Sequence, residues 1–203
     1  HHGAFDLSYL RCIPNMVIMA PADENETRQM LSTGFAHDGP AAVRYPRGKG
    51  PGVEVSEGLE TLDIGKAQLV REGQDLAILS FGTLLPEAHE AALQFEATLV
   101  NMRFVKPLDA DMIRSLAENH SAFVTVEDNA IAGGAGSAVS ELLQLLGINT
   151  PVLHLGLPDT FQDHGSREEL LEEAGLHAQG ICERIARRFP DLNCNSSVPQ
   201  IAS

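Results

Sequence analysis

The sequence predicts an α/β fold in which mainly parallel strands alternate with helices, arranged as a partial sheet followed by a complete three-layer α/β domain. Two observations support this prediction. Uninterrupted apolar runs of strand length, such as residues 16–21 and 75–81, are typical of strands that are buried on both faces. Amphipathic helical patterns separate these runs, and helices that follow parallel strands cover both faces of a sheet.

The first alternation occupies residues 1–47, and its best-marked element is a helix over residues 24–36. Asp23 is a preferred N-cap residue, and Glu26 three positions later gives a pattern like a capping box. A strand over residues 41–45 follows. This order of elements predicts the end of a parallel-sheet domain whose beginning is not in the sequence.

Two sets of apolar residues in this first part are expected in the core. Met30, Leu31 and Phe35 recur at helical spacing, which predicts one buried helix face. Phe5 and Tyr9, near the amino end, are also expected to be buried.

A change in composition predicts the domain boundary. The stretch from 46 to about 63 has five glycines or prolines in its first seven positions and no helical periodicity. We therefore expect a linker over residues 48–64, between a first domain at 1–47 and a second at 65–190. The polar end, residues 191–203, is predicted to be a flexible tail.

The second domain repeats the alternation of strands and helices. Strands are predicted at 65–71, 75–81, 97–105, 121–128 and 151–157. Helices are predicted at 86–95, from Asp109 to about 119, from 133–136 to 146, near 166–174 and near 177–188.

Two features follow the predicted strand at 121–128. Glu127 and Asp128 end that strand, where a carboxylate could reach the neighbouring domain. The run Gly133-Gly134-Ala135-Gly136 has neither the glycine order of a dinucleotide site nor the Lys-Ser/Thr ending of a phosphate loop. Close packing of a helix against the sheet explains these glycines as well.

Charge and composition exclude several functions. A formal net charge of −14 and a pI near 4.8 repel nucleic acid and anionic membranes, so neither is an expected partner. The sequence contains no apolar run long enough to span a membrane and no signal segment. Cys12, Cys182 and Cys194 are far apart and without metal-ligand spacing, which favours a reducing, cytoplasmic location and no metal site of their own.

In so acidic a chain, arginines at a strand end are candidates for binding an anionic substrate. Arg47 follows the predicted strand at 41–45, at the edge of a parallel sheet where ligands usually bind. Its guanidinium can grip a phosphate with two parallel hydrogen bonds. A surface salt bridge is the alternative role for Arg47, and support of strand packing is the alternative for Arg44.

Several segments resemble one enzyme family closely. They are HHGAFDLSYLRCIPNMVIMAPADENETRQML, GPAAVRYPRG, DLAILSFGTLLPEA, ATLVNMRFVKPLD and VTVEDNAIAGGAGSAV. From residue 1 to about 188, the chain resembles the 1-deoxy-D-xylulose-5-phosphate synthases of the transketolase superfamily. On that plan, residues 1–47 are the end of the pyrimidine-binding domain and 65–190 are the transketolase C-terminal-like domain.

The resemblance implies a reaction and its participants. These enzymes use thiamine diphosphate with Mg²⁺ to condense pyruvate with glyceraldehyde 3-phosphate, releasing carbon dioxide, for isoprenoid, thiamine and pyridoxal synthesis. They are expected to be homodimers. His1 matches a family histidine at the active site, and an imidazole is suited to proton transfer near neutral pH. Arg47 matches the arginine that binds the substrate phosphate, and Arg44 is a second candidate for this role.

The resemblance also implies that the chain is incomplete. The family's main ligands for Mg²⁺ and diphosphate, and its catalytic glutamate, are not in this sequence. We therefore expect a missing amino-terminal segment as partner and no activity from this chain alone. Two alternatives stay open: a non-catalytic dimerisation or interaction module, and the β-subunit of a 2-oxoacid dehydrogenase.

Overall fold

The computed structural model describes residues 4–192 of the chain. The strands in that range are β1 (Val17–Met19), β2 (Ala41–Val43), β3 (Gln68–Arg71), β4 (Asp75–Phe81), β5 (Thr98–Asn101), β6 (Phe104–Lys106), β7 (His120–Ala130) and β8 (Val152–Leu157). The helices are α1 (Asp6–Leu10), α2 (Glu24–Ala36), α3 (Leu85–Gln94), α4 (Ala110–Asn119), α5 (Ala135–Leu145), α6 (Arg167–Glu173) and α7 (Ala178–Arg188).

The larger sheet has five strands in the order β3-β5-β4-β7-β8. All of its neighbouring strands are parallel except β3, which pairs with β5 in antiparallel orientation at one edge. Its central strand, β4, is the apolar run that the sequence analysis assigned to a buried strand. The α/β fold class predicted from the sequence is confirmed.

Helices cover both faces of this sheet, as buried strands require. Successive side chains of β4 point to opposite faces, so Leu76 and Ile78 belong to one core and Ala77 and Leu79 to the other. The first core includes residues of α3 and α7, and the second includes residues of α4 and α5. The three-layer arrangement therefore follows from strands that are apolar on both sides.

The smaller sheet joins the two parts of the chain. β1 pairs in parallel with β2, as predicted, and β6 adds to β1 in antiparallel orientation. The single strand predicted at 97–105 is wrong, because this stretch forms β5 in the large sheet and β6 in the small one. Arg103, between them, has a positive φ of 59°, which breaks the extended backbone and turns the chain from one sheet into the other.

The predicted apolar face of α2 is only partly buried. Met30 lies in the core, but Leu31 is half exposed and Phe35 is 96% exposed. Tyr9, on α1, is also largely exposed, and Phe5, the residue before α1, is more than a third exposed. These four burial predictions are wrong because apolar character and helical spacing do not say how wide the covered strip of a helix is. None of the helices within residues 4–192 has both the length and the apolar composition needed to cross a membrane.

The stretch predicted as a linker runs along α2. Between β2 and β3 the described chain has no helix or strand. Arg28 donates hydrogen bonds to the carbonyl oxygens of Glu57 and Gly58, at 2.7 and 3.1 Å. Farther along, the Leu62 N–H donates to Thr33 Oγ1 at 2.8 Å. Side chains of α2 therefore fix the course of this irregular stretch.

Candidate functional site

A cavity of about 630 Å³ opens between the amino-terminal segment, residues 4–47, and the carboxyl-terminal segment, residues 65–190. Its walls come from the carboxyl ends of β1, β2 and β4, from the first turns of α2, α3 and α6, and from the loop that follows β2. Ligands of open α/β sheets usually bind at the carboxyl ends of parallel strands. This cavity is therefore our candidate functional site.

Three cationic side chains line the cavity. Arg47 and Lys49 come from the loop after β2, and Arg167 is the first residue of α6. Within residues 4–192, neither the Arg47 guanidinium nor the Lys49 ammonium pairs with an acidic side chain. α3 also begins at this wall, and no side chain caps its first N–H groups. Unpaired cations and an uncapped helix start both favour an anionic ligand.

Acidic residues line the cavity as well, and two of them have structural roles. The Asp23 carboxylate caps α2 by accepting from the Glu26 N–H at 2.8 Å. Glu24 Oε1 accepts from the Gly52 N–H at 2.7 Å and so holds the loop that follows Arg47. In the described chain, Glu24 Oε2 and Glu87 Oε2 are buried without a hydrogen-bond partner. They can accept hydrogen bonds from hydroxyl groups of a ligand.

Arg44 has a different environment from Arg47, although only two residues separate them. Its Nη1 pairs with the Asp128 carboxylate, its Nη2 donates to the Asp128 carbonyl oxygen at 2.7 Å, and its Nε lies 3.3 Å from Asp6 Oδ1. The Arg44 and Asp128 side chains are only 11% and 8% exposed. Burial lowers the pKa of Arg44, but the Asp128 and Asp6 carboxylates outweigh it and raise that pKa. Arg44 is therefore a charged link between the two segments.

Asp128 connects this link to the cavity wall. Thr83 Oγ1 donates to Asp128 Oδ2 at 3.3 Å, and Arg167 Nη2 donates to Thr83 Oγ1 at 2.7 Å. Arg167 Nη2 also lies 3.7 Å from Asp128 Oδ2. A carboxylate near the end of β7 thus reaches the other segment, as its position in the sequence suggested. It also orients two side chains that line the cavity.

Glu127 points into the other side of the sheet and holds the start of α5. Its carboxylate accepts from the Ala135 N–H at 2.7 Å and from the Gly136 N–H at 2.8 Å. A Cβ atom at Gly134 would overlap this carboxylate and lie 2.6 Å from the Ala130 carbonyl oxygen. The glycine run therefore allows close packing of helix and sheet, and no phosphate loop is needed to explain it. Burial raises the pKa of Glu127 to about 7, although the two N–H groups and Arg44 lower it.

A second buried cluster joins the segments near β6. Glu26 Oε1 accepts from Arg103 Nε at 2.6 Å and from Asn101 Nδ2 at 2.9 Å. Its Oε2 accepts from the Ala22 N–H at 2.9 Å. The sequence predicts that Glu26 completes a capping box with Asp23. Its carboxylate accepts instead from the N–H of Ala22, the residue before Asp23, and it also binds the turn between β5 and β6.

The structure describes two of the three predicted site residues. Arg47 lines the cavity, and Arg44 lies outside its lining, bound to Asp128. The catalytic role proposed for His1 falls outside the described residues, and the substrate contacts of all three stay predictions. Sequence reasoning missed Arg167, which lies in none of the segments that carry the resemblance, and Thr83, which lies in one of them but received no role.

Comparison with known proteins identifies the class. Residues 65–181 match the transketolase C-terminal domain, and residues 1–52 match the transketolase pyrimidine-binding domain. The chain therefore belongs to the transketolase family. A solved structure of a split-gene transketolase, an inactive β4 tetramer, is 31% identical with a TM-score of 0.81, covering 92% of this chain and 61% of that one.

Two curated relatives are more similar in sequence. A 1-deoxy-D-xylulose-5-phosphate synthase from Thioalkalivibrio sulfidiphilus is 62% identical over 97% of this chain and 31% of its own length. The synthase of that name from Nitrosococcus oceani is 62% identical over 91% of this chain and 29% of its own length. The resemblance to this family is confirmed, and the chain spans about a third of the length of these relatives.

Membership in this family implies thiamine diphosphate as the cofactor. The diphosphate of this cofactor is expected to bind through Mg²⁺, which requires a group of oxygen ligands. Among residues 4–192, no group of three or more His, Cys, Asp or Glu side chains is placed to hold a metal ion. The described residues thus do not by themselves fit a magnesium site.

The buried pair between Arg44 and Asp128 predicts an unequal effect of two substitutions. Asp128→Asn leaves the buried guanidinium without its principal counter-charge, so the free energy of unfolding should fall by about 3 kcal/mol. Asp6→Asn should cost about 1 kcal/mol or less, because the Asp6 side chain is 25% exposed and Asp128 still neutralises the guanidinium. Urea unfolding would measure both changes, provided that the unfolding free energies of wild type and variants depend on urea concentration with the same slope. Equal losses would contradict the leading role given to Asp128.

The raised pKa of Glu127 predicts a pH dependence of stability. Between pH 4.5, its ordinary value, and about 7, the unfolded chain has released this proton while the folded chain retains it. The contribution of Glu127 to stability is therefore complete below about pH 4.5 and declines as the pH rises toward 7. Relative to Glu127→Gln, which cannot ionise, the wild-type free energy of unfolding should decrease by up to about 3 kcal/mol across that interval. Denaturant unfolding at several pH values measures the difference, and a constant difference would refute the assignment.

Proposed function

We propose that this chain is part of a thiamine-diphosphate-dependent synthase that condenses pyruvate with D-glyceraldehyde 3-phosphate to 1-deoxy-D-xylulose 5-phosphate and carbon dioxide. The 62% identity over 97% of the chain to a protein of that name is the observation that supports this most directly. Residues 1–47 would belong to the pyrimidine-binding domain, 48–64 to the linker, 65–190 to the C-terminal-like domain and 191–203 to the tail.

In this proposal the cavity receives the phosphate end of glyceraldehyde 3-phosphate. Arg47 has the required chemistry, because its guanidinium is exposed in the cavity wall and pairs with no acidic residue in the described chain. Arg44 would act indirectly, because its ion pair with Asp128 fixes the end of β2, where the loop that carries Arg47 begins. His1 would donate or accept a proton at a substrate oxygen.

The remaining parts of the active site are assigned to polypeptide outside this chain. That polypeptide would supply the main ligands of Mg²⁺ and of the cofactor diphosphate, and the whole protein would act as a cytoplasmic homodimer. The split-gene transketolase with the similar fold is an inactive tetramer of one subunit type. It supports the expectation that this chain alone is inactive, although the alternative of an interaction module predicts the same inactivity.

The proposed function predicts activity only in the longer protein. A protein that carries this chain with a preceding segment like that of the relatives should form carbon dioxide and 1-deoxy-D-xylulose 5-phosphate from the two substrates. The 203-residue chain should not, and it should bind thiamine diphosphate weakly. Turnover assays and calorimetric titration of the cofactor measure this. Turnover by the short chain would refute its incompleteness, and lipoyl-acceptor reduction by the longer protein would favour the dehydrogenase alternative.

Arg47→Ala in the longer protein should chiefly raise the KM for glyceraldehyde 3-phosphate, because the phosphate group does not react. Loss of a charge-assisted pair of hydrogen bonds should cost on the order of 2–4 kcal/mol, which corresponds to about 30-fold or more. Steady-state kinetics with each substrate varied would measure this, with Arg187→Ala, exposed at the end of α7, as the control. An unchanged KM would remove Arg47 from the substrate site.

A further inference from the structure

We propose that Arg167, in the carboxyl-terminal segment, is a further substrate-binding residue that contacts the phosphate of glyceraldehyde 3-phosphate. This inference rests on the proposed function and extends it to the second domain, to which the sequence analysis assigned no substrate contact. The cavity lined by Arg47 is also lined by Thr83, Pro86, Glu87 and Arg167, all from the other segment. The proposed phosphate site is therefore bounded by both segments.

Arg167 has donors to spare for a ligand. Its Nη2 atom donates to Thr83 Oγ1 and lies 3.7 Å from the Asp128 carboxylate. Within residues 4–192, its Nε and Nη1 atoms have no hydrogen-bond or ion-pair partner. A guanidinium has five N–H donors, so the unused edge can form the two parallel hydrogen bonds that suit a phosphate.

The contacts behind Arg167 hold it in place. Thr83 follows β4, and Asp128 lies near the end of β7, the neighbouring strand. Asp128 is itself held by Arg44, so the acceptor atoms that bind Arg167 Nη2 sit on a buried framework. A side chain fixed on one edge loses less conformational freedom when a ligand binds its other edge. The 30% exposure of the Arg167 side chain leaves that edge accessible.

The uncapped start of α3 adds to this wall. Pro86 and Glu87 of its first turn line the same cavity, and no side chain accepts from its first N–H groups. The positive end of the helix dipole therefore favours negative charge where Arg167 projects. Glu87 and Glu168 also line the cavity, and they disfavour a phosphate beside them. The phosphate is thus expected between the arginines, with ligand hydroxyl groups toward the glutamates.

The test uses the longer, active protein and separates charge from structure. Arg167→Gln keeps much of the side chain but removes the charge, so the KM for glyceraldehyde 3-phosphate should rise about ten-fold while the KM for pyruvate stays constant. The inhibition constant of glycerol 3-phosphate, a phosphate ester that does not react, should rise by the same factor. Arg167→Lys should recover part of the loss, because an ammonium group binds phosphate at a single point.

Arg114→Gln is the matched control, since Arg114 pairs with Asp111 on α4 and does not line the cavity. Unchanged constants in Arg167→Gln would overturn the inference. The inference would also be overturned if the KM for glyceraldehyde 3-phosphate rose equally in the Gln and Lys variants and both had a lowered melting temperature. That result would indicate a purely structural role for Arg167. Absence of synthase activity in the unsubstituted protein would instead overturn the proposed function. If Arg167→Gln does not fold, the inhibition constant of glycerol 3-phosphate is measured on Arg167→Lys instead. An unchanged constant in that variant would refute the contact between Arg167 and the phosphate.

Discussion

The buried ion pair between Arg44 and Asp128 is the interaction on which the geometry of the cavity depends. Each charge is costly to remove from water, so each requires the other at close range and fixes its position. Arg44 comes directly after β2 and precedes Arg47 by three residues, so the pair sets where the loop of Arg47 starts. Asp128 in turn positions Thr83 and Arg167. One contact therefore orients cavity residues from both segments.

The cluster around Glu26 is a second buried contact that joins the two segments. Glu26 lies in the first turn of α2 and binds Asn101, the last residue of β5, and Arg103, where the chain turns toward β6. That break sends β6 back to pair with β1, so the small sheet contains strands from both segments. A buried carboxylate and a shared sheet thus hold the two segments together in addition to the Arg44 pair.

The sequence predicted those features that local chemistry decides. Asp23 and Asp109 cap their helices as expected, and the apolar run of β4 is buried on both faces. It failed where tertiary contacts decide. The positive φ of Arg103 carries no glycine signal, and the exposure of Phe35 depends on what packs beside α2. The fold class and the Arg47 loop could thus be predicted, but the residues from the other segment that line the cavity could not.

In the proposed function a strongly acidic chain binds an anionic substrate, which requires that its acidic groups lie far from the ligand or are engaged in other contacts. Charges beyond about 8–10 Å are largely screened in physiological salt, so the net charge of −14 acts mainly on approach and not inside the cavity. Within the cavity, the Asp23 and Glu24 carboxylates accept backbone hydrogen bonds, whereas the nearby arginines keep donors unused. Since those arginines come from different segments, the proposed affinity for a phosphate depends on how the segments are held together. On this proposal the contact between segments is part of substrate recognition, and the buried Arg44–Asp128 pair serves both the fold and the site.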